Sequence, residues 1–235
     1  MSSAQRTTQT TPVLIVGGGP TGLLASLLLS RFNIDHILIE QRHAPQAAPA
    51  AHVINTRTME ILRSAGLNTE EFYALNKHGD AQFISWVNGP RDHALGKYAL
   101  MGDLEDPEDL QRFMHRAAAS PEHITNISQN LFEDALLGQA TRRNHQDIRF
   151  GHSWQGFVDG DTRRVRVLQP DGSAYEVNAA YVLAADGASS NIVRTLGITR
   201  SGPPSIATFL NMSCEIDLSQ IAGEQQSILY WCLNP

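Results

Sequence analysis

Apolar and polar positions change period several times along this chain. Val13 to Val16 is a short apolar run that stops at Gly17. A strand buried on both faces of a parallel sheet reads this way, because neither face meets water. From Pro20 to Phe32 the leucines at 23, 24, 27 and 28 recur at helical spacing and predict a helix with one apolar face. His36 to Ile39 is a second buried run. Strand, helix and strand within about 30 residues make a βαβ unit. His36 inside that second strand is expected to pack rather than to catalyse.

The pattern then breaks. Residues 41–52, with two prolines and many small side chains, predict a loop. Met59, Ile61 and Leu62 restore a helix that Gly66 should end. Residues 78–105 turn irregular and strand-like, 107–120 and 124–142 look helical, and 148–185 reads as successive strands. Gly160-Asp161 and Asp171-Gly172 mark turns between those strands. Asn191 to Ile198 suggests a short helix, and the chain from about 205 alternates like strand again. No internal repeat or low-complexity tract appears.

Composition narrows the classes. The chain has 235 residues, 42% of them hydrophobic and 18% charged, enough for one large core or one domain plus part of another. The net charge of -6 argues against nucleic acid or a membrane surface as partner, since both are polyanions. The polar N-terminus has no apolar core of a secretory signal, and the run Leu23 to Leu29 is too short to span a bilayer. Two cysteines outside any CxxC pattern make no disulfide framework. A soluble cytoplasmic protein with a frayed tail over residues 1–10 is the expectation.

The chemistry starts at Gly17, Gly19 and Gly22. In a glycine-rich turn between strand and helix, the first glycine permits the tight turn. The second lets the backbone approach a pyrophosphate, and the third lets helix and strand pack closely. The helix N-terminus adds free N–H groups and a positive dipole end. Glu40 ends the second strand, where a carboxylate can accept from both ribose hydroxyls and would repel a 2′-phosphate. An ADP moiety with a free ribose is implied, as in FAD or NAD. No Ser-His-Asp set and no metal-ligand spacing stands out, and no His-x-x-x-His occurs.

Four further stretches carry a resemblance: "IEQRHAP", "INTRTMEILRSAGL", "SQNLFEDALL" and "YVLAADGASSNIVRTLGI". With the glycine turn, in this order, they resemble the FAD-dependent aromatic hydroxylases, the single-component flavin monooxygenases related to p-hydroxybenzoate and phenol hydroxylase. The resemblance implies that Gly17, Gly19 and Gly22 line the pyrophosphate, with Pro20 and Thr21 between them at the helix start. It implies that Glu40 takes the adenosine ribose, with Gln41 and Arg42 at the adenosine end. Arg57 and Gln129 would approach the flavin, and Asp186 and Gly187 would sit beside FAD and help with the nicotinamide donor. Plainer readings stand beside these. Arg42 also reads as a solvated loop arginine, Gln129 as an exposed helix residue, Arg57 as a solvated helix-start residue, and Asp186-Gly187 as a turn. Where many relatives carry arginines, this chain has Ala50 and Val193, with Arg194 next.

The resemblance implies FAD as cofactor, NADPH or NADH as electron donor and a small aromatic substrate, hydroxylated through a C4a-hydroperoxyflavin. The expected fold class is α/β: a Rossmann-like FAD-binding fold, its parallel sheet flanked by helices on both faces and carrying an inserted β-meander, with the start of a β-rich substrate domain. The FAD-binding domain should take 11–77 and 106–200, and the partial substrate domain 78–105 and 201–235. The family's later Gly-Asp motif has no counterpart after Asp186, since Gly79-Asp80, Gly102-Asp103 and Gly160-Asp161 all precede it. The chain is therefore expected to be a fragment or a shortened protein, with self-association or a chain supplying the remaining half to cover open sheet edges. A non-catalytic nucleotide-binding protein is one alternative. An NAD-dependent dehydrogenase is another, but it leaves the Asp-Gly stretch unexplained.

Overall fold

The computed structural model describes residues 8–48, 50–76, 83–89, 93–99, 105–203, 207–210, 212, 214, 215, 217 and 227–233. Its elements run in the order β1 (Thr8–Val16), α1 (Pro20–Arg31), β2 (His36–Glu40), β3 (Val53–Ile54), α2 (Thr56–Ser64), α3 (Thr69–Tyr73) and β4 (Phe83–Val87). Then follow β5 (Gly96–Ala99), α4 (Pro107–Ala119), β6 (Thr125–Asn126), α5 (Gln129–Ala140), β7 (Gln146–Phe150) and β8 (Ser153–Val158). The last are β9 (Asp161–Leu168), β10 (Ala174–Ala184), α6 (Asn191–Thr195) and β11 (Ser227–Cys232). They fall into two compact units, one of residues 1–50 and 129–210, the other of 51–128 and 211–235.

In the first unit, six strands form one sheet in the order β7-β2-β1-β10-β9-β8. β7, β2, β1 and β10 are parallel; β9 and β8 continue antiparallel as the meander. Val16 lies opposite both Ile39 and Ala184, so the ends of β1, β2 and β10 are level. On one face, Leu14, Val16, Ile37 and Ile39 join Val165, Val167, Tyr175, Val177 and Ile192 in a single core. The other face carries α1, whose Gly22 lies over Ile15 and which packs on α5. Each fully buried Leu or Ile contributes roughly 2 kcal/mol through area removed from water. Helices were expected on both faces; much of the second is instead covered by the meander, whose β8 returns to β2 through His152 N–H donating to Glu40 O at 2.9 Å.

His36 is buried, as its strand position predicted. Its Nδ1–H donates to Ile34 O at 2.9 Å, and its Nε2 accepts from Ser26 Oγ at 2.7 Å, tying β2 to α1. Along β10, the described partners of β9 are Ala174 to Asn178. Among the described residues, the rest of β10 pairs with β1 alone, and Tyr181 and Leu183 there are exposed.

The second unit holds a β3–β6 ribbon and a three-stranded sheet ordered β11-β4-β5. Asn55 caps α2 by accepting from Thr58 N–H, and Gly66 follows that helix at φ 78, where a residue with a β-carbon is strained. Glu122 is buried beneath α2 and α3. It accepts from Arg63 Nη1 at 2.9 Å, Thr69 Oγ1 at 3.0 Å and Tyr73 OH at 2.7 Å. Burial pushes the Tyr73 hydroxyl up to about 12, and Glu122 beside it adds to the effect.

Several boundaries differ from the sequence reading. Thr8 to Thr10 belong to β1 rather than to a frayed tail, because β10 supplies parallel partners back to Glu176. The helix expected over 124–142 starts at Gln129; Thr125 and Asn126 pair with Val53 and Ile54 instead. The single strand expected across 148–160 is broken at Gly151, φ 75, into β7 and β8. Residues 207–210, expected as strand, are in no regular element, while 204–206 and 218–226 lie outside the described residues. The compact units also divide the chain elsewhere than at the expected domain limits: residues 51–77 and 106–128 group with β4 and β5. Among the described residues, no helix is long and apolar enough to cross a membrane.

Candidate nucleotide site

The level ends of β1, β2 and β10 open into a cavity of about 570 Å³ in the first unit. Gly17 turns the chain out of β1 at φ 113, and its amide donates to Ile39 O at 2.8 Å. A β-carbon on Gly17 would meet Ala185 O at 2.2 Å, and one on Gly22 would meet Gly17 O at 1.9 Å. The first and third glycines are therefore required by the protein's own backbone. Gly19 is different: a β-carbon there meets nothing within 4 Å. Its face is open to the cavity, beside a helix start that no side chain caps. The first-turn N–H groups of Thr21 and Gly22 have no intrahelical acceptor, which makes this end of α1 an anion site.

Gly18, not singled out in the sequence, is held against the acid. A β-carbon there would lie 2.8 Å from Glu40 Cβ. The Gly18 amide donates to Glu40 Oε2 at 2.6 Å. Glu40 Oε1 accepts from Arg42 N at 2.8 Å and Arg42 Nε at 3.1 Å. With about two acceptor positions per carboxylate oxygen, Oε1 is filled and Oε2 keeps room for one more donor.

Arg42 also reaches Glu133 Oε2 with Nη1 at 3.3 Å. Burial works against its charge, but Glu40 and then Glu133 outweigh it and hold the guanidinium above its ordinary value. Glu133 sits on the buried side of α5 with Phe132 and Leu136. It accepts as well from Gln46 N–H at 3.2 Å and Gln129 Nε2 at 2.9 Å.

The opposite wall comes from Asp186 and Gly187, which follow β10. Ala185 N–H donates to Val16 O at 2.8 Å, so the Asp-Gly turn and the glycine turn share a wall. Asp186 Oδ2 accepts from Ile192 N at 3.4 Å, and Gly187 takes φ 82. Arg194 lines the cavity one position after Val193 and contacts Asn191 Oδ1. His152 and Trp154 close another side. Burial, then the charge of Arg149, lowers the His152 pKa, and its Nδ1 lies 3.1 Å from Tyr175 OH, within hydrogen-bond reach. Trp154 Nε1–H is enclosed and finds no acceptor in the protein. An orphaned donor, an open glycine face and an uncapped helix start fit a bound dinucleotide.

Of the residues chosen from sequence, Gly17, Gly19, Pro20, Thr21, Glu40, Gln41, Arg42, Gln129, Asp186 and Gly187 all line this cavity. Gly22 packs behind it. Arg57 belongs to the second unit, pairs with Glu60 at 3.1 Å and is largely exposed. It borders a separate cavity there with Tyr98, Phe113 and Arg116. Gln46, Glu133, His152 and Trp154 were missed. A Tyr-x-x-x-Lys spacing runs from Tyr73 to Lys77. Tyr73 OH is committed to Glu122 and to the His123 amide, and Lys77 lies outside the described residues. Among the described residues no cluster suits a metal ion.

A family model described as "FAD binding domain" matches residues 10–235. A 2,4-dichlorophenol 6-monooxygenase from Cupriavidus pinatubonensis is 30% identical over 96% of this chain and 37% of its own length. An aklavinone 12-hydroxylase from Streptomyces peucetius is 31% identical over 95% of this chain and 45% of its own length. The flavin-dependent monooxygenase PieE, solved with FAD and substrate, superposes with a TM-score of 0.72 at 30% identity, over 83% of this chain and 33% of that one. The chain thus spans less than half the length of each of these relatives.

Proposed function

Because the chain belongs to the FAD-binding domain family, we propose that its first unit holds FAD and serves a monooxygenase that hydroxylates an aromatic small molecule. Gly17, Gly19 and the N–H groups of Thr21 and Gly22 would take the pyrophosphate. Glu40 would accept from the adenosine ribose, with Gln41 and Arg42 alongside. Gln129, Asp186 and Gly187 would meet the flavin half. When bound and reduced by NADH or NADPH, FAD supplies the oxygen-transfer chemistry. The protein residues would orient it and screen it from water.

The observation that carries this reading is the open face of Gly19, which faces the cavity beside the uncapped end of α1. Relatives named for dichlorophenol and aklavinone support an aromatic substrate of phenolic or polyketide type. Two free, exposed cysteines, Cys214 and Cys232, fit a reducing cytoplasm.

A second reading is nucleotide binding without turnover: the open Gly19 face and the uncapped end of α1 fit an ADP moiety and would serve either. The deciding experiment adds FAD to the purified chain, records the visible spectrum and follows NADPH and NADH oxidation. Bound flavin with donor oxidation supports the monooxygenase, and bound flavin without oxidation supports the second reading. No bound flavin rejects the monooxygenase, and a chain that then also fails to bind 5′-AMP rejects the second reading.

A further inference from the structure

The geometry points to Glu133 as a specificity residue that rejects 2′-phosphorylated nucleotides, acting through Arg42. This inference rests on the FAD reading of the same cavity. An arginine just past the ribose-binding acid is well placed to receive a 2′-phosphate, and nucleotide sites that accept one use a nearby arginine in that way. Arg42 follows Glu40 by two residues, yet it does not stand open. Its Nε is taken by Glu40 Oε1 at 3.1 Å and its Nη1 by Glu133 Oε2 at 3.3 Å.

Glu133 is 91 residues away in sequence, and its side chain is only 1% exposed. Its carboxylate is positioned from three directions. Gln129 Nε2 fixes Oε1 at 2.9 Å, while the Gln46 amide and Arg42 fix Oε2. Two carboxylates against one guanidinium leave the adenosine end with a net charge of about −1, in a cavity where charges are only partly screened. A 2′-phosphate would bring roughly two further negative charges to that point.

The sorting has a use. A flavoenzyme reduced by NADPH meets two dinucleotides that share an ADP half, and one of them carries the 2′-phosphate. Glu133 keeps the cofactor cavity for the one without it. It is a positioning residue, since it touches Arg42 rather than the ribose.

The test measures binding of 5′-AMP and adenosine 2′,5′-bisphosphate to the 235-residue chain by calorimetry. The wild type should prefer 5′-AMP by more than about tenfold. Glu133→Gln keeps the side chain's volume, removes the charge opposite Arg42 Nη1, and should narrow that preference by about tenfold, the effect of one removed charge in a partly screened site. Glu133→Gln combined with Arg42→Gln restores a net charge of about −1 and should restore the wild-type ratio. A ratio also cancels any uniform loss of folded protein.

An unchanged ratio in Glu133→Gln, with 5′-AMP still bound, overturns the inference and leaves the FAD reading intact. A double variant that shifts as far as the single one overturns it too, because a merely structural role would not follow charge. Failure of the wild type to bind 5′-AMP or FAD overturns both.

Discussion

Gly17 and Ala185 lie so close that a β-carbon on the glycine would stand 2.2 Å from the alanine carbonyl oxygen. That contact joins the glycine turn after β1 to the Asp-Gly turn after β10, and Gly17 meets it at φ 113. Gly17→Ala should cost about 1–3 kcal/mol from backbone strain, with the clash added, and should abolish flavin binding. Gly19→Ala is the contrast, since nothing in the protein lies within 4 Å of the added carbon. Its melting temperature should stay within a few degrees of the wild type, about the noise of a neutral change. Its FAD affinity should still fall at least about tenfold, because the carbon occupies ligand space. Thermal melts beside fluorescence titration with FAD separate the two.

Glu40 joins Gly18 and Arg42 with all of its bonds shorter than 3.2 Å. Glu40→Gln should weaken 5′-AMP binding by roughly tenfold or more, since an amide offers one acceptor oxygen where the carboxylate offers two. Calorimetry with 5′-AMP reads this directly. Unchanged affinity would remove Glu40 from the ribose.

His36 sets a stability change between neutral and mildly acidic pH. Burial lowers its pKa below 6.5, so the folded chain binds fewer protons there than the unfolded chain. The stability from its neutral ring is complete above about 6.5 and is lost as pH falls toward the folded value. The lowered pKa of His152 acts in the same direction. Urea midpoints should fall between pH 7.5 and 5.5, and His36→Gln should flatten the slope.

Glu122 acts at lower pH. Burial raises its pKa, but Arg63, Tyr73 and Thr69 outweigh that and hold it below the ordinary 4.5. Its contribution is present above 4.5 and is lost as pH falls through the folded value. Tyr73→Phe removes a donor at 2.7 Å and should cost about 1–2 kcal/mol at pH 7, read from urea unfolding.

The βαβ unit and its glycines could be read from sequence because the signal is local: an apolar run, a turn that needs glycine and a periodic helix. Glu133 could not. An acid on a helix is ordinarily solvated, and only its i,i+4 spacing from Gln129 hinted at a pair. His152 and Trp154 were hidden by Gly151, since alternation looks the same in a strand that continues and in one that turns back. Thr8 to Thr10 carry no apolar signal at all. Their strand is set by Glu176 to Asn178, which no local window contains. Arg57, chosen by resemblance, is exposed and pairs with Glu60 in the second unit.

The pairing of Val16 with Ala184 also sets an order in time. A ribosome adds roughly 5–20 residues each second, so the glycine turn waits on the order of ten seconds or more for its opposite wall. Through that interval β1 has no β10 to lie against and the cavity has one side. Both walls of the cavity exist only once Asp186 has been made, so the glycine turn is local in sequence while the site it serves is not.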